Sequence, residues 1–175
     1  MTAGLSAWSN EAYAKPGVEP LLIALQDQHR LNVNIILWCL WCSEKFEEPQ
    51  PILLRKAADL IREWSTSVVG PLRTARRALK NPPPQASAGN ASALQARLKE
   101  DELAAERIEQ EMLEALASSS LRDIANADIA GQARRNLAAY ARLASVAKSP
   151  GFSVSLLEEL IALIFPSADK DGVPV

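Results

Sequence analysis

Residues 34–46 constrain the fold more than any other part of the chain, because they are apolar on nearly every side of a helical projection. A surface helix needs a polar face, so a segment of this kind belongs at the centre of a helical protein. Its longest apolar run, residues 35–42, is far shorter than the roughly 20 residues that cross a bilayer. We therefore predict a buried central helix and no membrane insertion.

Apolar residues recur at helical spacing through most of the remaining sequence, and no run alternates in polarity as a strand would. With 48% hydrophobic and 23% charged residues, the composition is that of a globular protein. Gly70 and Pro71 are expected to interrupt one helix. The sequence predicts an all-α bundle of about six to seven helices with a proline-rich linker in the middle.

The segment "NPPPQASAGNAS", residues 81–92, sets the predicted domain organisation. Consecutive prolines among small polar residues are typical of a linker. We predict a first helical region over 1–80, a flexible linker over 81–92, a second helical region over 93–165 that packs on the first, and a polar tail over 166–175. The start of the chain lacks the pattern of a secretory signal, so a cytoplasmic location is expected.

Cys39 and Cys42 lie three residues apart in "CLWC", within the apolar segment. Such a pair can serve redox chemistry, but a reactive thiolate needs a helix N-terminus or a nearby cation. A structural zinc site needs four ligands, and the chain contains two cysteines and one histidine. We favour buried cysteines that fill the core, and we expect no metal and no cofactor.

His29 lies on an apolar stripe near the predicted end of a helix. It could bind a ligand or transfer protons, although a histidine in this position more often stabilises a helix end or makes a buried hydrogen bond. No recognised serine or cysteine arrangement accompanies it. We therefore assign no catalytic residue and favour a protein that is not an enzyme.

Arg73, Arg76 and Arg77 gather on neighbouring parts of one predicted helix. They could pair with the acidic residues of segment 44–48, or they could bind an acidic partner or a phosphorylated ligand. Residues 51–80 contain seven Lys or Arg and two acids, whereas the whole chain has a net charge of −2. The overall charge makes nucleic acid an improbable partner.

Trp8 and Trp41 belong to a group of aromatic residues concentrated before residue 50. Aromatic side chains can line a pocket for an apolar ligand. More often they bury large areas in a core, which is the interpretation we favour here.

Several landmarks occur in an order that resembles a family of short proteobacterial proteins of unknown function, over roughly residues 5–80. These landmarks are Trp8, Tyr13, "PGV" at 16–18, "LQD" at 25–27, "NVN" at 32–34, Trp38 in "LW", Trp41, Trp64, "PLR" at 71–73, and Arg76 with Arg77. The resemblance implies a bacterial cytoplasmic protein and supplies no reaction, ligand or catalytic residue.

Taken together, these patterns favour a non-enzymatic cytoplasmic helical protein that binds another protein, as a regulator, an adaptor or a homodimer. The alternative is a small-ligand binder or enzyme with an aromatic and arginine-lined pocket. In both cases the candidate binding residues are Arg73, Arg76, Arg77, His29, Trp8 and Trp41.

Overall fold

The computed structural model describes residues 3–145, 152 and 154–166, which form eight α-helices and one π-helical segment. The elements are α1 (Leu5–Tyr13), α2 (Val18–His29), α3 (Val33–Lys45), α4 (Pro51–Trp64), the π segment (Ser65–Val69), α5 (Gly70–Ala78), α6 (Ala88–Ser120), α7 (Ile129–Leu143) and α8 (Val154–Ile164). Since α4, the π segment and α5 form one continuous helical stretch, seven helical stretches result. The described residues contain no strand, and the predicted all-α bundle is confirmed.

Helix α3 occupies the centre of the bundle, as predicted from its sequence. Residues 34–43 are all buried, and α1, α2, α6 and α7 pack around them. Asn32 caps the helix, because its side-chain oxygen accepts a hydrogen bond from the backbone N–H of Ile35 at 3.2 Å. Asn32 is half-buried and hydrogen-bonds Ser65 and Tyr140, so the start of α3 lies beside the π segment and α7.

The interruption predicted at Gly70 and Pro71 takes the form of a wider helical turn rather than a break in the chain. The π segment ends immediately before Gly70, and Pro71 is the second residue of α5. A proline lacks the N–H that a regular helix would use, and a π-helical turn accommodates the altered hydrogen-bonding pattern. The helix therefore continues through the π segment. The wider turn changes the directions in which the side chains after residue 64 point.

Helix α6 is 33 residues long and packs on α1, α3, α4 and α5. It begins at Ala88, inside the segment 81–92 that the sequence predicts as a linker. Two indole N–H groups donate hydrogen bonds to backbone carbonyls of α6. Trp38 of α3 donates to the Leu113 carbonyl at 2.9 Å, and Trp64 of α4 donates to the Ala105 carbonyl at 3.0 Å. The long helix therefore serves as a support for both the central helix and α4.

Helix α7 joins the other side of α3 through buried polar side chains. Asn136 Nδ2 donates to the Cys39 carbonyl and to Ser43 Oγ, both at 3.0 Å, and Gln132 donates to the Phe46 carbonyl at 2.9 Å. Helix α8 packs on α2 and α7. Most of the predicted polar tail, residues 167–175, lies outside the described residues.

Candidate functional site

The structure pairs two of the three predicted arginines with acids on α6. Arg73 Nε lies 2.8 Å from Glu102 Oε1, and its Nη2 lies 2.7 Å from Glu106 Oε1. Arg76 Nε lies 2.5 Å from Glu102 Oε2. We call these four residues the α5–α6 ion cluster. Both guanidinium groups are therefore paired with carboxylates of the same chain.

Burial makes this ion cluster a structural feature rather than an open anion site. The Glu102 side chain is 7% exposed, and those of Arg73 and Arg76 are 26% and 23% exposed. Burial opposes ionisation of Glu102, but hydrogen bonds and charges from Arg76 and Arg73 outweigh it and lower the pKa of that carboxyl. Burial, opposed by the charge of Arg73, raises the pKa of Glu106.

The pairing considered for the arginines with acidic segment 44–48 is wrong. Glu47 and Glu48 instead contact Arg122 and Arg135, each at 2.7 Å. Segment 44–48 lies at the end of α3, whereas α5 packs on α6, so the two charged groups never meet. Arg77 is separate from the ion cluster, 56% exposed, and lies 3.6 Å from Asp27.

The other predicted site residues are packed into the bundle, Trp8 and Trp41 where α1 meets α3 and His29 at the end of α2. Trp8 donates its indole N–H to Glu44 at 2.7 Å, and Trp41 donates to the Ala3 carbonyl at 3.3 Å. His29 is buried with its ring 5.2 Å from that of Phe152, edge to face, and its Nε2 has no partner among the described residues. None of the six predicted residues lines either of the two clefts described below.

Cys39 and Cys42 are free and fully buried, so their predicted burial is confirmed. Burial raises the pKa of both thiols, and Cys39 adds to the rise at Cys42. A thiol in this state is a poor nucleophile. In the described part of the chain, no group of three or more histidine, cysteine or acidic residues is placed to hold a metal ion.

A cleft of about 320 Å³ lies between α4 and α7, close to the start of α3. We call it the arginine cleft, because Arg30, Arg55 and Arg62 line it. Helix α4 supplies one wall from positions 55, 58, 59 and 62, which share one face of a helix at spacings of three, four and seven, and the π segment adds Ser65 and Thr66. Tyr140, Leu143 and Ala144 supply the opposite wall.

Hydrogen bonds fix the inner end of the arginine cleft. The backbone N–H of Asn32 donates to the Tyr140 hydroxyl at 2.9 Å, and its side-chain amide donates to Ser65 Oγ at 3.2 Å. Ser65 in turn donates to the buried carboxylate of Glu109. Burial raises the pKa of Tyr140, so its hydroxyl stays neutral. The π segment thus brings Ser65 into a rigid polar network, and π-helical turns are frequent at functional sites.

The charges of the arginine cleft are poorly compensated by the protein itself. Arg30 has a φ of 56°, an unusual backbone conformation for a residue other than glycine, and follows α2 directly. Within the described residues, neither the Arg30 nor the Arg55 side chain has an ion pair or a hydrogen bond. Arg62 pairs with Asp59, but both side chains are more than half exposed, so this pair contributes little.

A second cleft, of about 270 Å³, continues from the first along α4 and α7. We call it the apolar cleft, because Pro51, Leu54, Ala139 and Leu143 form its walls, with Arg55 and Arg142 beside them. Arg55 and Leu143 line both clefts, so the two are contiguous. Together they form one groove with a positively charged end and an apolar end.

Sequence reasoning missed this groove, although one signal pointed towards it. The basic excess in residues 51–80 includes Arg55 and Arg62, which are seven residues apart and therefore share a helix face. Arg30 and the α7 wall join them only in three dimensions. A helical projection of α4 could have found the arginines, but not their neighbours.

In a comparison with protein families, residues 5–113 match the family described as "Protein of unknown function (DUF2390)". The match includes the α4 wall of the groove and ends before α7 begins. Searches of the curated proteins and of the solved structures each find no match. In the described part of the chain, no helix is both long and apolar enough to cross a membrane.

Proposed function

The chain belongs to the DUF2390 family of proteins of unknown function, and we propose that it binds a small phosphate monoester in the arginine cleft. A single observation supports the proposal: three arginines, two on α4 and one immediately after α2, line one cleft, and two of them have no partner within the described residues. Uncompensated guanidinium groups that face a common space suit an anion.

The neutral groups of the cleft support the same ligand class. Thr66 carries a hydroxyl that can donate a hydrogen bond to a phosphate oxygen, and Asn32 marks the positive end of the α3 dipole. Asp59 is the one acid among the residues that line the cleft, against three arginines. The volume of about 320 Å³ lies at the lower end of the range for ligand pockets, which favours a small molecule.

Isothermal titration calorimetry with phenyl phosphate tests the proposal on the whole chain. We expect Arg55→Gln and Arg62→Gln each to weaken binding about ten-fold, because each removes one cation from the cleft. Arg97→Gln is the matched control, since Arg97 is an exposed arginine on α6 outside both clefts. Binding should also weaken as salt is raised.

Three results would overturn the proposal: no binding of phenyl phosphate at millimolar concentration, equal effects of all three substitutions, or tighter binding of benzoate than of phenyl phosphate. The last result would assign the cleft to carboxylates. Far-ultraviolet circular dichroism of each variant separates loss of binding from loss of folding.

Binding of another protein is the second proposed function. Ile52, on α4 next to the groove, is 74% exposed, and an exposed large apolar side chain beside a basic surface suits an acidic or amphipathic partner, including a second copy of the chain. The α5–α6 ion cluster does not support this proposal, because its arginines are already paired. Sedimentation velocity of wild type and Ile52→Lys over a range of concentrations tests self-association; identical behaviour without any dimer excludes that form of the proposal.

We further propose that the protein works in the bacterial cytoplasm and is not an enzyme. The two free, buried thiols fit a reducing compartment. Fractionation of the native cells, followed by detection with an antibody, tests the location.

A further inference from the structure

We infer that the ligand is amphipathic: a soluble phosphate monoester whose apolar substituent lies in the apolar cleft. This inference rests on the proposed function, since the phosphate must occupy the arginine cleft. It adds the chemical nature of the rest of the molecule, which the arginines alone do not specify.

The two clefts are continuous, so one ligand can occupy both. Arg55 and Leu143 line both of them, so a phosphate that contacts Arg55 places its ester substituent beside Leu143. From this point the groove continues towards Pro51, along the first turn of α4. A substituent directed along the groove therefore enters the apolar cleft.

The walls of the apolar cleft suit an apolar substituent. Leu54 is buried, Ala139 and Leu143 are half-buried, and Pro51 supplies an apolar ring. The remaining lining residues, Arg55 and Arg142, add cations without adding a carboxylate. An aliphatic or aromatic substituent would remove apolar surface from water against Leu54, Ala139 and Leu143, whereas the hydroxyls of a sugar would find no hydrogen-bond partner on these three side chains.

A series of alkyl phosphates, from methyl to hexyl, gives the direct test by calorimetry on the full chain. Each buried methylene group strengthens binding roughly four-fold, so burial of only two of the five additional methylene groups makes hexyl phosphate bind at least about ten-fold more tightly than methyl phosphate. Hexanol, which lacks the anion, should bind much more weakly than hexyl phosphate.

Ala139→Leu tests whether the alkyl chain lies in the apolar cleft, because the larger side chain fills this cleft without changing any charge. We expect this variant to lose the advantage of hexyl phosphate and to keep the affinity of wild type for methyl phosphate. Ala96→Leu, at an exposed position of α6, is the matched control. Should Ala139→Leu fail to fold, Ala139→Val and the chain-length series on wild type keep the inference testable.

The outcomes separate this inference from the proposed function. Equal binding of methyl and hexyl phosphate, or an advantage of hexyl phosphate that survives in Ala139→Leu, overturns the inference and leaves the anion site standing. Failure of every phosphate probe overturns both. Binding to vesicles that contain phosphatidic acid, without binding to hexyl phosphate, would assign the groove to a membrane lipid and overturn the claim of a soluble ligand.

Discussion

Replacing Glu102 by Gln should remove the charge on which the α5–α6 ion cluster depends, while leaving the shape of the side chain unchanged. In the wild type this carboxylate accepts three hydrogen bonds, one from Arg73 at 2.8 Å and two from Arg76 at 2.5 and 3.4 Å. The amide of glutamine has one acceptor oxygen and no charge. Arg76 would then have no carboxylate partner among the described residues, whereas Arg73 would keep Glu106.

The expected loss follows from these contacts. Hydrogen bonds to charged groups contribute about 1.5–3 kcal/mol each, and breaking a buried ion pair costs about 3–5 kcal/mol. Because both arginines are about one-quarter exposed, water can partly replace the lost partner. We therefore expect the free energy of unfolding to fall by about 3 kcal/mol, and the melting temperature to fall by roughly 6–12 °C.

Urea denaturation at pH 7 measures this loss, with Glu100→Gln as a control at an exposed position of the same helix. Since the pKa of Glu102 is lowered in the folded protein, its contribution is complete above the unfolded value near 4.5 and is lost as the pH falls through the folded value. The difference between wild type and Glu102→Gln should therefore shrink in acid. A loss below about 1 kcal/mol, equal to that of the control, or a loss that does not change with pH, would refute the assignment of a structural ion cluster.

Three further predictions concern the core. Cys39 and Cys42 should resist a polar thiol reagent in the native protein and react with it in urea, because burial raises the pKa of both thiols; rapid native labelling would contradict their position inside the bundle. Trp38→Phe should lower the free energy of unfolding by about 1–3 kcal/mol in a urea titration, since it leaves a buried carbonyl of α6 without its indole donor. A fall in that free energy no larger than the one caused by a substitution at an exposed position would contradict the prediction. Burial raises the pKa of Tyr140 well above its ordinary value of 10, so stability should fall as the pH rises above 10. An ultraviolet titration of Tyr13→Phe that showed phenolate below pH 10 would contradict this prediction.

The central helix and the all-α fold could be predicted because they depend on local patterns. A helix that is apolar on all sides is stable only in the interior of a protein, and residues 34–43 lie there. The π segment could not be predicted, since Gly70 and Pro71 indicate only that regular hydrogen bonding is disturbed there, and not how the chain accommodates the change. The start of α6 inside segment 81–92 depends on a cap by Ser87, which a composition-based linker prediction overlooks.

The candidate site was harder to predict, because charge alone does not distinguish a paired arginine from a free one. Arg73 and Arg76 form the denser group in the sequence, but Glu102 and Glu106 neutralise them from a helix about 30 residues further along the chain. Arg55 and Arg62 are less conspicuous in the sequence, and the fold leaves Arg55 without a partner among the described residues. Whether a cation is available to a ligand is decided by tertiary contacts that one sequence does not reveal.

The family match ends at residue 113, but the interior of the protein does not end there. Two backbone hydrogen bonds of 3.0 Å join the end of α3 and the link after it to the link between α6 and α7. Glu47 N–H donates to the Arg122 carbonyl, and Ile124 N–H donates to the Lys45 carbonyl. Beyond the match, α7 also covers the central helix. We expect a protein cut at residue 113 to expose the flank of α3 that α7 covers, so the end of the family match does not mark a boundary of the folded unit.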